Sequence, residues 1–145
     1  MRAIKFRGKS ILTDEWFYGD LVHSADKKRT AILVNDKDSY DECEVVPETI
    51  GQFTGLYDCE GKEIFEGDIL DFNGLTVEVR FVRGVFALLI NGNLDDELGG
   101  DCRTDLFAKV IGNVYENPDI LKGGKKWLMK NMNEKNKKIV IIINK

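Results

Sequence analysis

Residues 50–90 read IGQFTGLYDCEGKEIFEGDILDFNGLTVEVRFVRGVFALLI, and their rhythm decides the fold. Asn73–Gly74 marks a tight hairpin, because a type I′ turn needs positive φ at both central positions. Beyond it Leu75, Val77, Val79 and Phe81 alternate with Thr76, Glu78, Arg80 and Val82, the period-two pattern of a strand with one buried face. Arg83–Gly84 turns the chain into VFALLI (85–90), whose unbroken apolar run fits a strand buried on both faces. Upstream, IGQFTGLY (50–57) reads as a strand and DCEG (58–61) as a turn in which Asp58 bonds its own backbone. KEIFEGDILDF (62–72) continues, bent at Gly67–Asp68. Downstream, an acidic loop, Asn91–Asp101, leads to KVIGNVY (109–115), which alternates again. Short strands joined by tight turns over residues 50–121 predict an SH3-like β-barrel.

The first 49 residues are sparser. Arg2–Arg7 alternates, and WFYGDLVH (16–23) and TAILV (30–34) are strand candidates. SADKKR (24–29) and NDKDSYDEC (35–43) read as polar turns. Pro47 suits the first position of a short helical turn. At the far end Asn117–Pro118 opens a short helix, PDIL (118–121), and Gly123–Gly124 breaks the chain. Residues 127–138 have helical composition, and Ile139–Ile143 (IVIII) is strand-like. The expected class is mainly β, α+β overall. A small N-terminal α+β part (1–49) is followed by the SH3-like barrel (50–121) and a basic C-terminal tail (122–145).

With 145 residues, 43% of them apolar and 32% charged, this is an ordinary soluble globular composition. Disordered, collagen-like and membrane-spanning classes are excluded, since no apolar run approaches the roughly 20 residues of a span. No signal-peptide pattern opens the chain. Cys43, Cys59 and Cys102 show no CxxC spacing, which argues against a disulfide framework or a zinc ribbon and for free thiols in a reducing cytoplasm. The charge is lopsided. Residues 122–145 hold eight lysines against one acid, a net of +7, which leaves −11 on residues 1–121 of a chain whose formal total is −4.

Chemistry is scarce. His23, the one histidine, stands at a strand end with no nucleophile motif in the chain. Asp95, Asp96, Glu97 and Asp101 cluster in the acidic loop without EF-hand spacing, so they read as a solvated, metal-free loop. Glu66 and Asp68 flank Gly67; paired carboxylates do acid–base work only if one is desolvated, and turn chemistry is the simpler reading. Asn113 and Asn117 read as capping or turn residues. The aromatic residues spread over the strands read as core, because a body at −11 repels phosphate.

FRGK (6–9), WFYGDL (16–21), VVPETIGQFTGLYDCEGKEIFEGDIL (45–70) and IGNVYENPDIL (111–121) together resemble the YopX family, over roughly residues 1–121. These are small proteins carried by phages and prophages. The resemblance implies an α+β N-terminal part and an SH3-like barrel, and it carries no activity, substrate or catalytic residue to transfer. Accordingly no residue is assigned as catalytic, cofactor-binding or metal-ligating, and no cofactor is expected. The expected role is a phage or prophage accessory protein of the host cytoplasm, acting without catalysis as a protein–protein interaction or self-assembling module. Its expected partners are a second copy, through Ile139–Ile143, and a host or phage protein, with no membrane involved. One alternative is nucleic-acid association through the lysine tail; a small hydrolase using Glu66 or Asp68 is the least favoured.

Overall fold

A computed structural model describes residues 2–97 and 102–122 of the chain. Asp101 and the tail beyond Lys122, with its expected helix and Ile139–Ile143, lie outside the described residues. The chain divides into two compact units, one running to Gly55 and the other beginning at Leu56.

In the first unit the strands are β1 (Phe6–Lys9), β2 (Trp16–His23), β3 (Thr30–Asp36), β4 (Ser39–Glu44) and the greater part of β5 (Gly51–Tyr57), with a 3-10 turn at Pro47–Thr49 before β5. They stand in the order β4-β3-β2-β1-β5, each pair antiparallel. The 3-10 turn begins at Pro47, as proline's fixed φ favours. Thr49 pins it: its Oγ1 donates to Val46 O at 2.6 Å and accepts from Lys9 N at 2.9 Å. Ile32 and Val45 are fully buried, and Gly8 lies under Val45, so close that a Cβ there would meet its side chain at 2.8 Å.

Two expectations change here. The first strand runs over Phe6–Lys9, not Arg2–Arg7, because pairing with β2 extends from Phe6↔Gly19 to Lys9↔Trp16. NDKDSYDEC is not a turn: Ser39–Glu44 forms β4, in register with β3 from Ala31↔Glu44 to Asp36↔Ser39. Its first four residues are exposed on both faces, so no hydrophobic alternation marked it as a strand. Helical structure among the described residues of this unit is limited to the 3-10 turn.

The second unit holds β6 (Glu63–Phe65), β7 (Asp68–Phe72), β8 (Leu75–Val82), β9 (Val85–Ile90), β10 (Asn93–Glu97), the short helix α1 (Thr104–Phe107) and β11 (Ala108–Asn113). Its sheet has the order β10-β9-β8-β7-β11. Three two-residue turns make the meander: Asn73–Gly74, Arg83–Gly84 and Asn91–Gly92, each with positive φ at both positions. That backbone matches the right-handed twist of the flanking strands. The third turn carries the chain into β10, so Asn93–Glu97 is a strand where the sequence reads as loop. α1 has no counterpart in the sequence pattern, and residues 118–122 form the expected terminal helical turn.

Leu75, Val77 and Val79 of β8 share one face and pack with Ile64, Leu70, Leu88, Ile90 and Ala108 as the core. Each of the Leu, Val and Ile side chains contributes roughly 1.5–3 kcal/mol on full burial. Ala87 to Ile90 are all buried, as the VFALLI run predicts; Val85 at its start is exposed. Phe81, near the hairpin tip, leaves the core and meets Phe86 edge-on, ring centroids 5.1 Å apart. The protein is mainly β, with two antiparallel sheets. The second is open among the described residues, its edges being β10 and β11, and does not close as a barrel.

Candidate functional site

The motif residues that could do chemistry hold the backbone instead. Asp58 is 3% exposed, and its Oδ1 accepts from Glu60 N at 2.9 Å and Lys62 N at 2.8 Å. Its Oδ2 accepts from Val110 N at 3.0 Å, which ties the DCEG turn to β11. Burial pushes this carboxyl's pKa up, but the N–H groups of Val110, Lys62 and Glu60, with the Lys62 charge, outweigh it and hold the pKa below the usual aspartate range. The bond to Val110 lies 52 residues away and has no sequence signal.

Asp68 is 2% exposed and accepts from Phe65 N at 2.8 Å, bridging the bend whose Gly67 has φ of 93°. The main chain of Gly67 bonds on both sides, donating to Val79 O and accepting from Val114 N. Glu66 stands beside this bend, half-buried. Asn113 Oδ1 accepts from Tyr115 N and Glu116 N, both at 3.0 Å. Asn117 Oδ1 accepts from Asn113 N at 3.2 Å and lies where a Cβ on Gly112 would sit. The turn and capping readings of Asp68, Asn113 and Asn117 therefore describe what these side chains do.

The other candidates are scattered. His23 ends β2, exposed, its Nδ1 3.2 Å from Thr30 Oγ1. Cys43, Cys59 and Cys102 are free thiols, the first on β4, the second in the Asp58 turn and the third beside the second unit's core. Burial first, then the charges of Asp41 and Glu15, raises the Cys43 thiol pKa, the wrong direction for a nucleophile. Asp95, Asp96 and Glu97 fall on β10. Among the described residues no three His, Cys, Asp or Glu side chains gather as a metal site.

Sequence reasoning missed two features. Glu78 lies on the face of β8 opposite the core yet is 7% exposed, and its Oε2 accepts from Arg80 Nε at 2.7 Å. It lines a hollow of about 250 Å³ with Leu89, Pro118 and Leu121 under the terminal helical turn. The alternation hid it, because that face reads as solvent. The second is a polar hollow of about 270 Å³ on the first sheet, lined by Ser24, Arg29, Glu42 and Glu44 among others. It depends on β4 being a strand.

The YopX protein family model matches residues 5–122. The chain belongs to the YopX family. Two solved structures are similar to this YopX-family chain. Protein EF1440 from Enterococcus faecalis superposes with a TM-score of 0.53 and 22% identity, covering 83% of this chain and 99% of that one. YopX from Bacillus subtilis gives 0.50 and 17%, covering 83% and 97%. At those identities the likeness speaks for the fold alone. Compared with curated proteins, the chain matches none. No helix among the described residues is long and apolar enough to cross a membrane.

Proposed function

We propose that this YopX-family chain is a phage or prophage accessory protein of the bacterial cytoplasm that works by binding, as a protein–protein interaction and self-assembling module. The observation that carries the reading is the employment of the motif carboxylates. Asp58 and Asp68 are taken up by main-chain N–H groups, so the most distinctive residues of the chain build a scaffold. The finer fold reading is an SH3-like barrel left open, supported by the order of a four-strand meander with the last strand beside the first. Small sheets of this kind offer edges and loops to partners.

The element of self-association is Ile139–Ile143, five consecutive apolar residues, four of them isoleucine, flanked by Lys137, Lys138 and Lys145. Such a run in water favours edge pairing, and the lysines temper it. Sedimentation of the full chain tests this: a concentration-stable oligomer is expected, and Ile141→Lys shifts it to a smaller species. A full chain that stays monomeric at every concentration contradicts the reading.

The second reading is nucleic-acid association, favoured by the eight lysines of residues 122–145. It requires retention on DNA that falls steeply with salt.

A further inference from the structure

β4 is an edge strand: Ser10 bridges Val45 just past its end, and its outer side is open along Ser39–Glu42. Its pairing with β3 runs through six in-register positions without a bulge. Val45 N donates to Thr30 O, which fixes the phase of the ladder. Counted in twos from that bonded pair, Cys43, Asp41 and Ser39 turn their main-chain groups toward β3. Glu44, Glu42 and Tyr40 turn theirs outward. Glu44 O accepts from Ile11 N at 3.2 Å; the N–H and C=O of Tyr40 and Glu42 meet no partner among the described residues.

Both edges of the second unit's sheet are blunted by comparison. Along β11, Ala108 O accepts from Cys59 N, Val110 N is taken by Asp58 and Asn113 N by Asn117. Along β10 the register breaks between Leu94 and Asp96. The regular stretch Ser39–Glu42, short of the Ser10–Ile11 contact, is the edge that accepts another strand.

The side chains say which strand. Asp36, Asp38, Asp41, Glu42 and Glu44 set five acids against Lys37 in this stretch, and Tyr40 adds an aromatic ring at 63% exposure. The complementary segment is in the same sequence: Lys135, Lys137 and Lys138 precede Ile139–Ile143 and Lys145 follows it, with no acid among them. Resting on the self-association reading above, we propose that β4 is the acceptor edge. Residues 139–143 of a second copy add beside it, bonding the outward groups of Tyr40 and Glu42, with their flanking lysines over the β4 acids. Main-chain bonds supply affinity and the charges supply register and choice of partner.

Sedimentation velocity on full-length proteins tests it. Glu42→Pro deletes an outward N–H at the kind of position where an edge strand tolerates proline, and far-UV circular dichroism reports whether the sheet persists. It is expected to weaken self-association by at least about tenfold, as Ile141→Lys does. Asp41→Lys with Glu42→Lys changes only exposed side chains and is expected to act alike, with association recovered when Lys137→Glu and Lys138→Glu are added. Wild-type mass in both β4 variants, with dissociation by Ile141→Lys, overturns β4 as acceptor and leaves self-association standing. A wild-type chain that is monomeric overturns both.

Discussion

At the scale of single residues, a few main-chain acceptors and tight backbone positions add to the stability that the buried core supplies. Asp58 has a folded pKa below its unfolded one, so its contribution is complete above the unfolded value of about 4 and drains as pH falls through the folded value. Asp58→Asn keeps the shape but loses the charge, and is expected to cost about 2 kcal/mol at neutral pH. Chemical denaturation at pH 7 and near pH 3 checks the sign: the gap between wild type and variant must shrink in acid. Gly19 faces the Leu33 carbonyl so closely that a Cβ would stand 2.0 Å from its oxygen. Gly19→Ala is expected to destabilise by about 3 kcal/mol, read as a lower melting temperature. Arg83 sits at φ 53° in a turn that prefers Asn-Gly. Arg83→Asn should therefore raise stability by about 0.5–1 kcal/mol, and a melt that does not move upward contradicts that account.

At the scale of elements, what could be read depended on whether a signal was local. The Asn73–Gly74 hairpin, the bend at Gly67–Asp68 and the Asn117–Pro118 start were legible, since the residues that cause each turn lie within it. β4 was not, because a two-sided polar edge strand has the composition of a loop. β10 was hidden by its acids, although Asn91–Gly92 carried the same signal as the first hairpin. The clasp of Asp58 on β11 depends on a contact 52 residues away that no local pattern encodes. The same clasp gives an element-scale test. In Asp58→Asn the Val110 amide loses its charged acceptor, so hydrogen exchange should accelerate there and at Lys62 while the buried amides of β8 stay protected. Uniform acceleration would mean the clasp holds up the whole unit.

At the scale of the molecule, the decisive asymmetry is electrical: −11 over residues 1–121 and +7 over the rest. If the two meet between copies, self-association weakens as salt shortens the screening length to about 3 Å at 1 M, and analytical ultracentrifugation across a salt series reads this directly. Association that strengthens with salt would place the apolar run, not the charges, in control. The turns of the second unit carry a different consequence, in time. β7 to β10 are linked by two-residue connections, each of which closes almost without entropy cost. β11 joins β7 at Ala108↔Phe72, a span of 36 residues by subtraction. Hairpins form in about 1–10 μs, so the meander is expected to assemble before its last strand arrives, with docking of β11 as the slow event. Substitutions in the meander are then expected to retard folding, whereas Val110→Ala in β11 is expected to leave the folding rate and hasten unfolding; stopped-flow folding and unfolding rates check this, and a slowed folding limb for Val110→Ala contradicts it.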